Sequence, residues 1–103
     1  MFNQATLAQL EADVGAEVLA QLMQVFCKES THLVSELLNC ESLNQETVRL
    51  SHSLKSCSRS YGADTLADLA EQLEMLAKEG SEAFFEQRKT LNQTFQATLS
   101  ALP

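Results

Sequence analysis

The stretch that determines the predicted fold is residues 51–62, SHSLKSCSRSYG. Leu54, Cys57 and Tyr61 are spaced three and four residues apart, so a helix over this stretch places all three on one face. His52 falls on the opposite face of the same helix. The stretch therefore predicts an amphipathic helix that buries one side and displays a histidine on the other.

The rest of the chain repeats this helical pattern. It contains three glycines and a single proline at the C-terminus, so few positions break a helix. The pattern predicts five helices, at about residues 4–13, 16–39, 45–61, 64–79 and 81 onward. Short connections between amphipathic helices make neighbours antiparallel. We expect an all-α, up-down-up-down four-helix bundle with a short N-terminal helix capping one end.

Several local signals refine this prediction. Asn3 is expected to be the N-cap of the first helix. Ser42 and Gln45 have the spacing of a capping box at the start of the third helix. In the second helix, Val18 and Val25 belong to an apolar stripe that is predicted to face the core.

Composition limits the class of protein. The 103 residues are enough for one domain, which we expect to span residues 1–103 as a complete, free-standing protein. No apolar run is long enough to cross a bilayer, and no signal peptide is recognisable, so we predict a cytoplasmic location. A formal charge of −7 disfavours nucleic acids and anionic membranes as partners. Three cysteines without a CxxC pair are expected to be free thiols.

Positive charge is concentrated around His52. Residues 47–63 contain no acidic side chain but include Arg49, Lys55 and Arg59. Helical projection places Lys55 beside His52 on the outward face. A cation next to an exposed histidine suits a nucleophile that later carries a negatively charged group.

Two further residues indicate contact with a large partner. Ser56, four residues after His52, leaves little bulk above the ring. Val48, four residues before it, is predicted to be an exposed apolar residue on a docking surface. An idle surface histidine with the same neighbours is the alternative at this point.

Other side chains give weaker signals. His32 lacks basic or small neighbours and is expected at the surface. The serines of residues 51–60 have no base and acid arranged to activate a nucleophile. Glu71, Glu74 and Glu79 are predicted to form a solvated helix face. Neither a glycine-rich phosphate loop nor a carboxylate pair with metal spacing is present, so no nucleotide or metal site is predicted.

The motif around His52 resembles that of the histidine phosphotransfer (HPt) domains of bacterial phosphorelays. That pattern is His-x-Leu-Lys-Gly, a glycine ten residues after the histidine, Leu-x-x-Leu and a Leu-Glu pair. The matching residues are His52, Leu54, Lys55, Gly62, Leu66, Leu69, Leu73 and Glu74. Ser56 and Ser51 replace the usual glycine and alanine of the pattern, but both are small. The chain is also similar to small free-standing monomeric phosphorelay proteins of quorum-sensing relays.

The resemblance implies that His52 accepts a phosphoryl group from a receiver-domain aspartate and passes it to another receiver. Partners would be response-regulator receivers or a hybrid sensor histidine kinase. The receiver would supply Mg²⁺, so this protein needs no cofactor of its own. Lys55 would offset the charge of phosphohistidine. The protein would be a monomeric phosphocarrier without kinase activity, and its partner-contacting residues would be Val48, Arg49, Ser56 and Arg59.

Two alternatives remain open from the sequence. The first is an adaptor that binds signalling partners through the same face without being phosphorylated. The second is a phosphoaccepting domain of a larger kinase. A phosphorylation test at His52 separates the adaptor from the phosphocarrier.

Overall fold

The computed structural model describes residues 2–103, and within that range the chain is entirely helical or in turns, with no strand. The helices are α1 (Gln4–Val14), α2 (Ala16–Asn39), α3 (Gln45–Ser60), α4 (Asp64–Glu79), α5 (Ala83–Gln87) and α6 (Leu91–Ser100). None of these helices is both long and apolar enough to cross a membrane. The all-α prediction is confirmed.

The fifth predicted helix is divided by a tighter turn. α5 and α6 are joined by a 3₁₀ turn at Arg88–Thr90, and the backbone angles of Gln87, Arg88 and Leu91 all stay in the right-handed helical region. Because a 3₁₀ turn tightens a helix without reversing it, residues 83–100 form one helical segment. Residues 2–103 thus contain the expected five helical segments.

The bundle is formed by α2, α3, α4 and the α5–α6 segment. α3 packs most extensively against α4, α2 packs against α3, and α6 closes the bundle against α2 and α4. The fully buried large side chains at its centre are Phe26, Leu37, Leu54, Leu66, Leu73, Phe84 and Leu91. This confirms the up-down-up-down bundle and the inward direction of Leu54.

α1 covers the end of the bundle near the α3–α4 connection. The Asn3 amide donates a hydrogen bond to the Gly62 carbonyl at 2.7 Å, and the Asn3 side chain accepts one from the Thr6 amide at 3.1 Å. Asn3 is therefore the predicted N-cap. The Phe2 ring packs edge-on against Phe26 inside the bundle, with ring centroids 5.9 Å apart.

Gly62 is expected to tolerate no side chain. Its φ is +80°, and an added Cβ would lie 3.1 Å from Thr6 Cβ and 3.2 Å from the Asn3 carbonyl oxygen. Gly80, with φ of +65° and nothing within 4 Å, is the matched control. Both alanine variants incur a left-handed backbone strain of about 1–2 kcal/mol. Denaturant unfolding should show a larger loss for Gly62→Ala, and equal losses would contradict the close contact with α1.

The predicted Ser42–Gln45 capping box is wrong. α3 begins at Gln45, and its N-cap is Asn44, whose side chain accepts from the Thr47 amide at 3.1 Å. The Thr47 hydroxyl in turn accepts from the Asn44 amide at 3.4 Å. Asparagine directly before the first helical residue is as good an N-cap as serine, so the N-cap lies two positions later than the Ser42 pattern requires.

The prediction that Val18 and Val25 face the core is also wrong. They are 41% and 43% exposed, whereas Leu19, Met23 and Phe26 are buried. Both sets recur at helical spacing along α2, offset by one residue. The stripe with the larger side chains faces the bundle because it removes more apolar surface from water.

Candidate functional site

His52 projects from the middle of α3 into solvent. Its side chain is 59% exposed, while Leu54, on the other face of the helix, is fully buried. The predicted outward display of His52 is confirmed. His32 is exposed on α2, also as predicted.

The inner edge of the His52 ring contacts a carboxylate from the neighbouring helix. His52 Nδ1 lies 3.0 Å from Glu74 Oε2, and Lys55 Nζ lies 2.8 Å from Glu74 Oε1. Lys78 Nζ approaches the same carboxylate at 3.2 Å. Glu74 therefore brings His52 and two lysines together at the α3–α4 contact.

The prediction that Glu74 belongs to a solvated face is wrong, since its side chain is only 6% exposed. α4 packs closely along α3, and this turns the Glu74 position toward the neighbouring helix. The sequence did carry one signal, the Leu73-Glu74 pair that matches the resembled pattern. Lys78 was not singled out, although its i,i+4 spacing from Glu74 is typical of a helical ion pair.

The chemistry of Glu74 determines the protonation of the ring. Burial alone would raise the pKa of Glu74, but hydrogen bonds from Lys55, Lys78 and His52 outweigh burial and lower it to about 2. At neutral pH Glu74 is thus ionised and can only accept hydrogen bonds. His52 Nδ1 must carry the proton in this contact, and in the neutral ring the lone pair is on Nε2, the nitrogen away from Glu74.

The lowered pKa of Glu74 predicts a specific loss of stability in acid. A carboxyl whose pKa is lower in the folded than in the unfolded state stabilises the fold above its unfolded value near 4.5. This contribution, about 2–4 kcal/mol at neutral pH, disappears as the pH falls from about 5 toward 2. Unfolding free energies measured across that range should fall more steeply for the wild type than for Glu74→Gln. Parallel curves would contradict the proposed ionisation.

The predicted patch of free positive charge is not present. Arg49 pairs with Glu46, its Nε lying 2.9 Å from a carboxylate oxygen. Arg59 pairs with Asp68 at 3.1 Å and with Glu71 at 3.2 Å. The acidic partners come from the first turn of α3 and from α4, outside the acid-free stretch 47–63. Local sequence therefore overestimates the charge that the folded surface presents.

The predictions for Ser56 and Val48, the small and the apolar residue beside His52, have different outcomes. Ser56 is exposed, so the outer face above the ring is open as predicted. Val48 is half-buried and packs against the hydrophobic core, so its prediction as an exposed apolar residue is wrong. It lies close to the α3–α4 contact, where part of its side chain is covered.

An open groove of about 510 Å³ borders His52 on the side opposite to α4. Its lining residues are His52, Ser53, Ser56, Cys57, Ser60 and Tyr61 from α3, Leu10 from α1, and Leu22 and Glu29 from α2. Cys57 and Tyr61 pack against the hydrophobic core, as predicted, but they are only half-buried and also line this groove. The groove gives a partner access to the ring along α3.

Cys57 is poorly suited to act as a nucleophile in this groove. Burial and the nearby Glu29 carboxylate, 3.6 Å from the thiol, raise the pKa of Cys57 to about 12. At neutral pH it is therefore a thiol, and the thiolate is the reactive form. Cys27, Cys40 and Cys57 are all free, as predicted. Among residues 2–103, no three His, Cys, Asp or Glu side chains lie together as metal ligands would.

A family model described as the Hpt domain matches residues 21–102. The chain belongs to the Hpt family. It is 32% identical to phosphorelay protein LuxU of Vibrio vulnificus (strain YJ016) over 110 residues, covering 97% of this chain and 93% of that protein. It is 29% identical to LuxU of Vibrio harveyi over 80 residues, covering 76% of this chain and 70% of that protein. No solved structure matches it.

Family membership identifies the reaction. This Hpt protein is a phosphorelay protein like LuxU and acts by histidine phosphotransfer in two-component signalling. It is a phosphocarrier and not a kinase, and it exchanges phosphoryl groups with receiver domains or kinases. The phosphocarrier interpretation is confirmed over that of a non-phosphorylated adaptor.

Proposed function

We propose that His52 is the phosphoacceptor of this Hpt protein and that Nε2 is its nucleophilic atom. The observation that carries the proposal is the contact between His52 Nδ1 and the Glu74 carboxylate, together with the exposure of the ring. The other histidine, His32, is exposed as well, but it takes part in none of the ion pairs formed by the described residues.

The proposed transfer needs little chemistry from the Hpt protein itself. The Nε2 lone pair attacks the phosphorus of a receiver aspartyl phosphate, an N–P bond forms, and the P–O bond breaks. The electron pair of the broken bond leaves with the receiver carboxylate. Mg²⁺ held by the receiver offsets charge on the moving group, and the Hpt protein contributes position and a few charges. The reverse reaction passes the group to a second receiver.

Lys55 is proposed to stabilise charge. Its side chain is 27% exposed and its ammonium lies next to the inner edge of the His52 ring, held by Glu74. An ammonium group there supports phosphoryl oxygens through charge-assisted hydrogen bonds. Lys55 lies within one helical turn of His52, so its side chain reaches the phosphoryl group without movement of the backbone.

The surface around His52 is proposed to receive the receiver domain. Ser56 leaves space above the ring, and Arg49 and Arg59 extend the contact along α3 even though both are paired within the protein. The exposed part of Val48 adds a smaller apolar contact. We further propose that the protein is a cytoplasmic monomer of a single domain, for which sedimentation should show a particle of one chain.

The test is to incubate the protein with each phosphorylated receiver of its host and to record which receivers label it. We expect a small subset to transfer label, with the phosphate in an acid-labile, base-stable linkage that peptide mapping assigns to His52. Label confined to an acid-stable linkage, or to a peptide without His52, would overturn the proposal.

A further inference from the structure

The Glu74 carboxylate holds two ammonium groups beside the ring that is proposed to be phosphorylated. Lys55 Nζ contacts Oε1, while Lys78 Nζ and His52 Nδ1 both contact Oε2. One buried anion is therefore shared by two cations and the imidazole. The Lys78 side chain is 60% exposed, so its ammonium can move without unpacking α4.

The balance of charge in this cluster changes when a phosphoryl group arrives. Before transfer the ring is neutral, and one carboxylate faces two ammonium groups. Attack through Nε2 leaves the proton on Nδ1, so the ring becomes cationic while the phosphoryl group brings about two negative charges. The cationic ring then offsets the negative charge of Glu74, so the attraction between Glu74 and the two ammonium groups weakens. At the same time, new anionic oxygens appear on the outer side of the ring.

We propose that Glu74 is a positioning residue that holds the Lys55 and Lys78 ammonium groups beside His52. When His52 is phosphorylated, Lys78 moves with Lys55 from Glu74 toward the phosphoryl oxygens. This inference rests on the proposed phosphorylation of His52. It makes Lys78 a second charge-stabilising residue of the phosphorylated protein. Glu74 acts through the groups it holds and does not itself contact the phosphoryl group.

The chain offers a matched control for Lys78. Lys89 forms an ion pair with Glu86 at 3.0 Å, and both side chains are more than 70% exposed. The pair joins neighbouring turns of one helical segment, as Lys78 and Glu74 do, and neither member contacts Glu74. Removing Lys89 thus deletes an exposed lysine and its ion pair without changing the cluster at His52.

The test measures how the phosphoryl group divides at equilibrium between His52 and the aspartate of the receiver that labels the wild type best. Because this ratio compares separated proteins, it does not depend on how well the two surfaces dock. Lys78→Ala should lower the share on His52 by about two- to fivefold, the range for a partly exposed charge pair. Lys78→Arg should restore most of it, and Lys89→Ala should leave it unchanged.

Combining the two lysine variants tests whether Lys55 and Lys78, which share the Glu74 carboxylate, compensate for each other. With Lys55→Ala and Lys78→Ala together, the share on His52 should fall by more than the product of the single effects, since neither ammonium remains to compensate. If Lys78→Ala behaves like Lys89→Ala, the inference is overturned while labelling of His52 leaves the proposed function intact. If no receiver labels His52 in the wild type, the proposed function itself fails.

Discussion

Replacing His52 with glutamine is expected to abolish phosphoryl acceptance and to leave the melting temperature nearly unchanged. Glutamine has no ring nitrogen to attack phosphorus, so the loss should be complete within the detection limit. The His52 side chain is mostly exposed and fills no part of the core, and Glu74 keeps both lysines as partners. Substitutions at such positions usually change stability by no more than about 0.5 kcal/mol.

The matched control for this variant is His32→Gln, which changes the other exposed histidine. It should accept phosphate at the wild-type rate. Radiolabel transfer from a phosphorylated receiver and thermal unfolding of both variants give the comparison. Undiminished labelling of His52→Gln, or loss of labelling in His32→Gln alone, would contradict the assignment.

The second large effect is expected at Leu54, two residues from the proposed acceptor. Its side chain is fully buried, so Leu54→Ala should lower the free energy of unfolding by about 2–5 kcal/mol. Where the variant remains folded, phosphoryl transfer should stay close to normal, because Leu54 lies on the opposite face from His52. Denaturant unfolding and transfer rates measured on the same preparation separate the two effects.

Lys55→Ala is the converse of that variant. It should slow transfer or shorten the lifetime of phosphohistidine, by an amount at the lower end of the about 1.5–3 kcal/mol typical of hydrogen bonds to charged groups. The bundle should remain folded, since the lysine is partly exposed and leaves no cavity. Leu54→Met, which nearly conserves volume, should cost less than about 1.5 kcal/mol. An unfolded Lys55→Ala together with a harmless Leu54→Ala would contradict the orientation of α3.

The architecture could be predicted from the sequence because few residues of the chain break helices and each helix carries an apolar stripe. The sequence did not determine which face of α2 packs against the bundle, because two overlapping apolar stripes run along this helix. Val18 and Val25 fit one of them, and only packing against the other helices decides in favour of Leu19 and Met23. The N-cap of α3 was misassigned for a similar reason, since Ser42 and Asn44 are both good N-caps within three residues.

The candidate site was predictable only in part. His52 and Lys55 lie on one helix, and helical spacing alone places them together. Glu74 and Lys78 come from another helix, so their approach to the ring depends on how α4 packs against α3. The pairing of Arg49 and Arg59 with acidic residues has the same origin. Charge along a sequence describes a surface only where no neighbouring helix supplies the opposite sign.

The phosphorylated protein is expected to carry phosphate on Nε2 of His52 while Nδ1 stays protonated against Glu74. The most direct measurement is ³¹P and ¹⁵N NMR of the phosphorylated protein with ¹⁵N-labelled histidine. We expect phosphorus to couple to Nε2 of His52 and Nδ1 to show a directly bonded proton. Phosphorus coupled to Nδ1 of His52, or to a nitrogen of His32, would contradict it.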